Sequence, residues 1–161
     1  MIKIDDISEI LNKKIIAILP YTIEKVGLGS SVFLEKDIKI IKKIPTNIIK
    51  NIADSRNISI KQIKKMMKNT YKLSRNPPIV LGHEMCFFGF KYRISDIDDQ
   101  RGFVNSKYVK KIENQKIILF TDEVIETFTS DKTLIKQYLN AEFFRLKEFE
   151  KVIKSLPFLN F

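Results

Sequence analysis

Between residues 42 and 76 the sequence gathers Lys42, Lys43, Lys50, Arg56, Lys61, Lys64, Lys65, Lys68, Lys72 and Arg75 with a single carboxylate, Asp54. Ten cations against one anion leave +9 of the chain's formal +10, so the rest of the sequence is close to neutral. The charge is also ordered. Ile60, Ile63, Met67 and Tyr71 recur every three or four residues, the spacing of one helix face, and Lys61, Lys65, Lys68 and Lys72 repeat beside them, with Lys64 on the flank. The spacing predicts a helix over 59–73, capped by Ser59 and stopped by Pro77-Pro78, because the residue before a proline is pushed out of helical space. A solvated amphipathic helix would account for lysines at this spacing. Such localised charge points further, to a surface for a polyanion, of which nucleic acid is the commonest. A/T-rich codon usage alone would inflate Lys, Ile and Asn, but it would spread lysine evenly and leaves the concentration in 42–76 unexplained.

The 161 residues, 44% hydrophobic, suit one globular domain over 1–161 with a sizeable core. No apolar run of about 18 residues is present to span a membrane. The opening "MIKIDDISEILNKKIIAIL" lacks a signal peptide's basic start, unbroken apolar core and cleavage site, so the expected location is the cytoplasm. Cys86 is alone, which excludes an internal disulfide and a cysteine-based zinc cluster.

In chain order, "IDDISEILNK" predicts a short helix with Ile7, Ile10 and Leu11 on one side, and 14–20 a buried strand closed by Pro20. "VGLGSS" predicts a turn at Gly27 and Gly29; without a Gly-Lys-Ser/Thr ending it is not a phosphate loop. "VFLEKDIKIIKKI" reads as one or two strands, with Ile38 and Ile40 alternating with Lys39. A helix over 46–56 opens at Pro45-Thr46 and precedes the basic helix; strands at 79–81 and 85–92 lead to an acidic loop, "SDIDDQRG". "GFVNSKYVKKI" and "KIILF" are strands on either side of an "ENQ" turn, and "VIETFTS" pairs with the latter across Thr121-Asp122-Glu123. Ser130-Asp131 caps a long helix, 131–155. Its stripe of Ile135, Leu139, Phe143, Leu146, Phe149, Ile153 and Leu156 is assigned to core packing, with a dimer contact as the alternative, and "PFLNF" adds aromatics. Strands before and after a helical pair indicate an α+β fold: a mostly antiparallel sheet, a central basic helical hairpin and a long C-terminal helix.

Catalytic constellations are weak. His83-Glu84 lacks a second His four residues after the first, where Phe87 stands. Asp96, Asp98 and Asp99 lack calcium-loop spacing, Cys86 is flanked by Met85 and Phe87 as a packed thiol would be, and Asp37 with Glu35 and a nearby Lys is no more than chance supplies. No enzyme and no cofactor are expected. Residues 49–66 instead satisfy a helix-turn-helix pattern: Ala53 at the helix crossing, Asn57 at the turn, and Ile52, Ile60 and Ile63 buried. In that reading Ser59, Lys61 and Gln62 face base edges in the major groove.

Beyond these patterns, the chain resembles the ComK family of bacterial competence transcription factors over roughly residues 15–143. "IIAILP" and "FLEKD" look like the family's first strands, and "SIKQIKKMMKNTYKLSRNPPIVL" aligns without a gap to its helix and basic-Pro-Pro-Ile strand. "CFFGFKYRISD" is similar to the aromatic segment that follows, "RGFVNSKYV" to a Trp-Ile strand, and "TFTSDKTLIKQYLNAEFF" to a Ser-x-x-x-Leu-x-x-Gln helix, here Ser130, Leu134 and Gln137. Lys64 falls at one of the family's arginines, and Phe103 takes the Trp's place. Departures are Gly89 for a usual proline, Asn57-Ile58 for an aromatic-Gly segment, Gln62 for a common helix glycine, and a short C-terminal extension.

The resemblance implies an activator of DNA-uptake genes that binds A/T-rich double-stranded DNA as a pair of dimers, largely through the minor groove, and a proteolytic adaptor as a further partner. An A-tract's narrow minor groove concentrates negative potential, which suits lysines. The residues assigned to DNA are Lys61, Lys64, Lys65, Lys68, Lys72 and Arg75 as phosphate or groove contacts, Lys50 and Arg56 as flanking phosphate contacts, and Gln62 and Asn69 at base edges. The alternatives are an RNA-binding module, a metal-dependent nuclease centred on Asp96 to Asp99, and a protein-interaction module docked through the C-terminal helix.

Overall fold

Alternating and β-branched apolar runs build most of this molecule's sheet. A computed structural model describes residues 2–92 and 100–157; the acidic-loop residues Asp96, Asp98 and Asp99 and the aromatic ending 158–161 lie outside them. Strands β1 (Ile15–Ile23), β2 (Gly27–Leu34), β3 (Ile38–Ile41), β4 (Ile79–Val80), β5 (Cys86–Lys91) and β6 (Arg101–Asn105) form a six-stranded sheet in the order β3-β2-β1-β6-β5-β4. All its strand pairings are antiparallel. Strands β7 (Val109–Glu113), β8 (Lys116–Leu119) and β9 (Val124–Glu126) form a second antiparallel sheet. With helices α1 (Pro45–Ser55), α2 (Ile60–Tyr71) and α3 (Asp131–Lys154), the fold is α+β. Among the described residues no helix is long and apolar enough to cross a membrane.

Two cores lie on opposite faces of the large sheet. On one, Ile48, Ile49, Ile52 and Ala53 of α1 pack with Ile18, Val32, Phe87 and Phe103. On the other, Leu134, Ala141 and Phe144 of α3 pack with Phe88, Phe90 and Val104 and with the small sheet's Ile117, Leu119 and Ile125. Each fully buried Ile or Phe contributes roughly 2 kcal/mol. Helix α2 contacts the short edge strand β4 and reaches both cores, with Ile60 against the first and Met67 buried in the second.

Several local expectations are corrected. The N-terminal helix is a 3₁₀ turn, Ile7–Glu9, capped by Asp6. Strand β1 runs through Pro20 to Ile23; its ladder to β6 registers only at Ala17 and Ile18, so Pro20 lies where β1 is paired on one side and the missing N–H is tolerated. Gly27 and Gly29 sit in β2 rather than in the turn, which precedes them with Lys25 at φ 64°. At Gly29 a Cβ would stand 2.7 Å from the Ile41 carbonyl oxygen, so the approach of β3 requires glycine. "GFVNSKYVKKI" is broken by a 3₁₀ turn, Ser106–Tyr108, into strands of different sheets. Asn105 makes that break: buried, it donates to the carbonyls of Ile15 (3.1 Å) and Glu84 (2.9 Å) and accepts from the N–H groups of Cys86 and Lys107.

The largest correction concerns α3. Its core face is Leu134, Gln137, Ala141 and Phe144, whereas Ile135, Leu139, Phe143, Leu146 and Phe149 are exposed on the opposite side, and Ile153 and Leu156 are half-buried. The helix has two apolar faces, and the one with the smaller side chains fits closest to the sheet.

Candidate nucleic-acid interface

The basic segment folds as a hairpin whose joints are set by its own residues. Helix α1 starts on Pro45, whose fixed φ suits a first helical position. It ends at Ser55; Asn57 takes a left-handed φ of 57°, and the Ile58 N–H donates to the Ala53 carbonyl at 2.9 Å. Ser59 then caps α2, accepting from the Gln62 N–H at 3.2 Å. Helix α2 stops at Lys72, left-handed at φ 59°, with the Leu73 N–H closing on the Met67 carbonyl at 2.9 Å. The stop thus comes before Pro77-Pro78 and does not need them. Ala53 and Ile52 are buried as the helix-turn-helix pattern requires; Ile60 and Ile63 are half-buried.

Between this hairpin and the part of the large sheet that α1 leaves uncovered lies an open groove of about 1120 Å³. Lys61, Lys64, Lys65 and Lys68 line it from α2, and Lys50 lines it from α1. The other assigned residues lie elsewhere. Gln62, Asn69, Lys72 and Arg75 are exposed but do not line the groove. Lys72 Nζ donates to the Asn69 carbonyl at 3.3 Å, and the Arg56 guanidinium donates to the Leu81 carbonyl at 2.9 Å, tying the hairpin to the chain after β4.

None of the ten cations in 42–76 makes an ion pair among the described residues. Several lysines elsewhere are paired, among them Lys39 with Asp37 at 3.5 Å, Lys111 with Glu113 at 2.9 Å and Lys107 with Glu84. Among the described residues the groove is therefore lined by positive charge without ion pairs, and Asp54 is the one acidic residue of its lining.

The groove floor holds a residue that the sequence reading missed. Arg101, on β6 opposite Lys91, lines it beside Phe103, which stands opposite Gly89. A Cβ on Gly89 would come within 2.8 Å of the Arg101 Nη1 atom, so glycine at 89 leaves the space that the guanidinium occupies. Arg101 has no ion pair among the described residues, and burial lowers its pKa from the ordinary guanidinium value, although an arginine keeps its charge. Alternation along "RGFVN" places Arg101 and Phe103 on one face. That face becomes a groove floor only through the β5–β6 register.

Other chemistry-bearing side chains among the described residues are engaged within the fold. The hydrogen bond from Lys107, with its charge, holds the Glu84 carboxyl below its usual range, and His83 Nε2 lies 3.5 Å from the same carboxylate. Burial pushes the Cys86 thiol far above its ordinary value, so it is unreactive. Glu35 accepts from the Tyr108 hydroxyl at 3.0 Å and Asp37 holds Lys39, away from the basic groove.

A family model described as ComK protein matches residues 7–153. No curated protein and no solved structure matches the chain.

Proposed function

This chain belongs to the ComK family of competence transcription factors, and from that premise we propose that it regulates DNA-uptake genes by binding A/T-rich duplex DNA in the groove between the α1–α2 hairpin and the sheet. The observation that carries this reading is the set of cations, without ion pairs among the described residues, that line it: Lys50, Lys61, Lys64, Lys65 and Lys68 on the walls and Arg101 on the floor. From Lys61 to Lys68 the helix advances about 10 Å, which matches about three phosphates of one strand. Arg101 is the cation placed to enter a narrow minor groove, where an A-tract concentrates negative potential. Lys72, Arg75, Gln62 and Asn69 extend the contact outside the groove, and Arg56 acts by holding the hairpin in place.

Single-stranded RNA is disfavoured, because Phe103, the aromatic residue of the groove, is 6% exposed and offers no stacking platform.

Fluorescence anisotropy with an A/T-rich and a G/C-rich duplex at two salt concentrations tests the reading. Preference for the A/T-rich duplex should survive at the higher salt, and log affinity should fall against log salt with a slope of about −5. If Lys64→Glu with Lys68→Glu leaves affinity and slope unchanged, the surface is elsewhere. A minor-groove competitor then decides the groove.

A further inference from the structure

The lysine helix is held at its two ends by different cores. Ile60, at its start, packs against the core on the α1 side of the large sheet, and Met67 and Tyr71, in its last two turns, pack into the core on the α3 side. Tyr71 is the last helical residue, since Lys72 after it is left-handed. Its ring meets α3 twice, edge-on to Phe144 with centroids 4.7 Å apart and edge-on to Phe143 at 6.4 Å. Phe143 and Phe144 are themselves edge to face at 5.1 Å, so the three rings form one cluster. Lys147, one turn further along α3, donates from Nζ to the Tyr71 hydroxyl at 3.1 Å. The same Nζ lies 5.3 Å from the Tyr71 ring centroid and 5.2 Å from that of Phe143, within the range of a cation over an aromatic ring.

We propose that this clasp positions the nucleic-acid surface: Tyr71, held by Phe143, Phe144 and Lys147, sets where the last turn of α2 stands over the groove. The ends of helices fray unless something holds them. Lys68 lies one turn before Tyr71 and next to Met67, so the two anchors flank it in the sequence. With Met67 alone the last turn would be free to unwind and carry Lys68 away from the groove. Tyr71 has no charge at neutral pH and does not line the groove, so it acts through the lysines. Resting on the reading of α2 as the polyanion-binding helix, the clasp gives α3 a share in that surface from the other face of the sheet.

Two variants separate the ring from the hydroxyl. In anisotropy titrations with an A/T-rich duplex, Tyr71→Ala should bind about tenfold more weakly and flatten the slope of log affinity against log salt by about 0.9, the share of one phosphate contact. A flatter slope in a variant that removes no charge reports a lysine that no longer reaches its phosphate. A smaller folded fraction would lower apparent affinity and leave the slope where it was. Tyr71→Phe keeps the three-ring cluster and should bind within about twofold of wild type. Without DNA, hydrogen exchange of the amides from Met67 to Tyr71 should be faster in Tyr71→Ala, with those of α1 unchanged.

Unchanged exchange at the end of α2 overturns the proposal, whatever the DNA does. So does a Tyr71→Ala protein with the wild-type slope, or a Tyr71→Phe protein as weak as Tyr71→Ala. The lysine reading fails separately, on Lys64→Glu with Lys68→Glu in the wild-type background.

Discussion

On α2 the apolar stripe is inside, with Met67 fully buried, and the lysines carry no counter-charge. On α3 every glutamate is matched along the helix itself, Arg145 holding Glu142, Lys151 holding Glu148 at 3.0 Å and Lys154 holding Glu150 at 2.6 Å, while five large apolar side chains are exposed. Both helices combine lysines with an apolar stripe, and the fold leaves a different ingredient unsatisfied on each. Neither leftover stabilises the isolated chain. Like charges three and four residues apart on α2 repel by a few tenths of a kcal/mol per pair, roughly, and exposed ion pairs on α3 return about as little. What is left unsatisfied in the free protein is thus charge on α2 and apolar surface on α3.

The comparison breaks most readily at the lysines. Changing Lys61, Lys64, Lys65 and Lys68 together to Gln should lower affinity for an A/T-rich duplex by about three orders of magnitude at moderate salt and flatten the salt slope by about 0.9 per contact. Changing Lys132, Lys151 and Lys154 to Gln should alter affinity by less than about threefold, because those lysines stand on the far helix. Equal losses in anisotropy titrations would mean that net charge governs binding and placement does not. Next in size, Phe144→Ala should cost about 3–4 kcal/mol in urea unfolding of dilute protein, and its exposed neighbour Phe143→Ala under about 1 kcal/mol. Similar values would reverse the assignment of α3's faces. The caps give a smaller effect common to both helices: Ser59→Ala and Ser130→Ala should each lower stability by about 1 kcal/mol, since each Oγ accepts a backbone N–H of the first turn. The smallest effect is a difference of sign. At low salt Lys65→Gln should stabilise by a few tenths of a kcal/mol, roughly, through relief of repulsion on α2, whereas Lys151→Gln should destabilise by about as much through loss of Glu148.

The sequence made the hairpin legible because its signals are local. Ser59, Asn57 and Ala53 each act within a few residues, and the lysine spacing is the helix period itself. The inversion of α3 was not legible, because periodicity shows that a helix has an apolar face without showing which of two faces a sheet will take. Ala141 and Gln137 score low as core residues, yet they let the helix approach β5, whereas Phe143 and Leu146 would hold it away. Pro20 misled for a related reason: a proline ends a strand only where its N–H is needed, and that depends on where β6 stops. Arg101 was hidden most deeply. Its place under the lysines is decided by pairing with β5 and by the absence of a side chain at Gly89, neither of which is written near residue 101.

Asn105 carries a consequence for the order of assembly. Its amide reaches back 90 residues to the Ile15 carbonyl, and the β1–β6 pairing beside it closes a loop that contains the entire basic hairpin. Contacts so distant in sequence form late, because the chain must surrender loop entropy before they return anything. The charged helices can wind early and on their own, but the groove floor, Arg101 and Phe103, belongs to the strand that arrives last. A chain still emerging from synthesis short of residue 101 would present the lysine helices without Arg101 and Phe103 beneath them. The groove is thus incomplete until the sheet is whole.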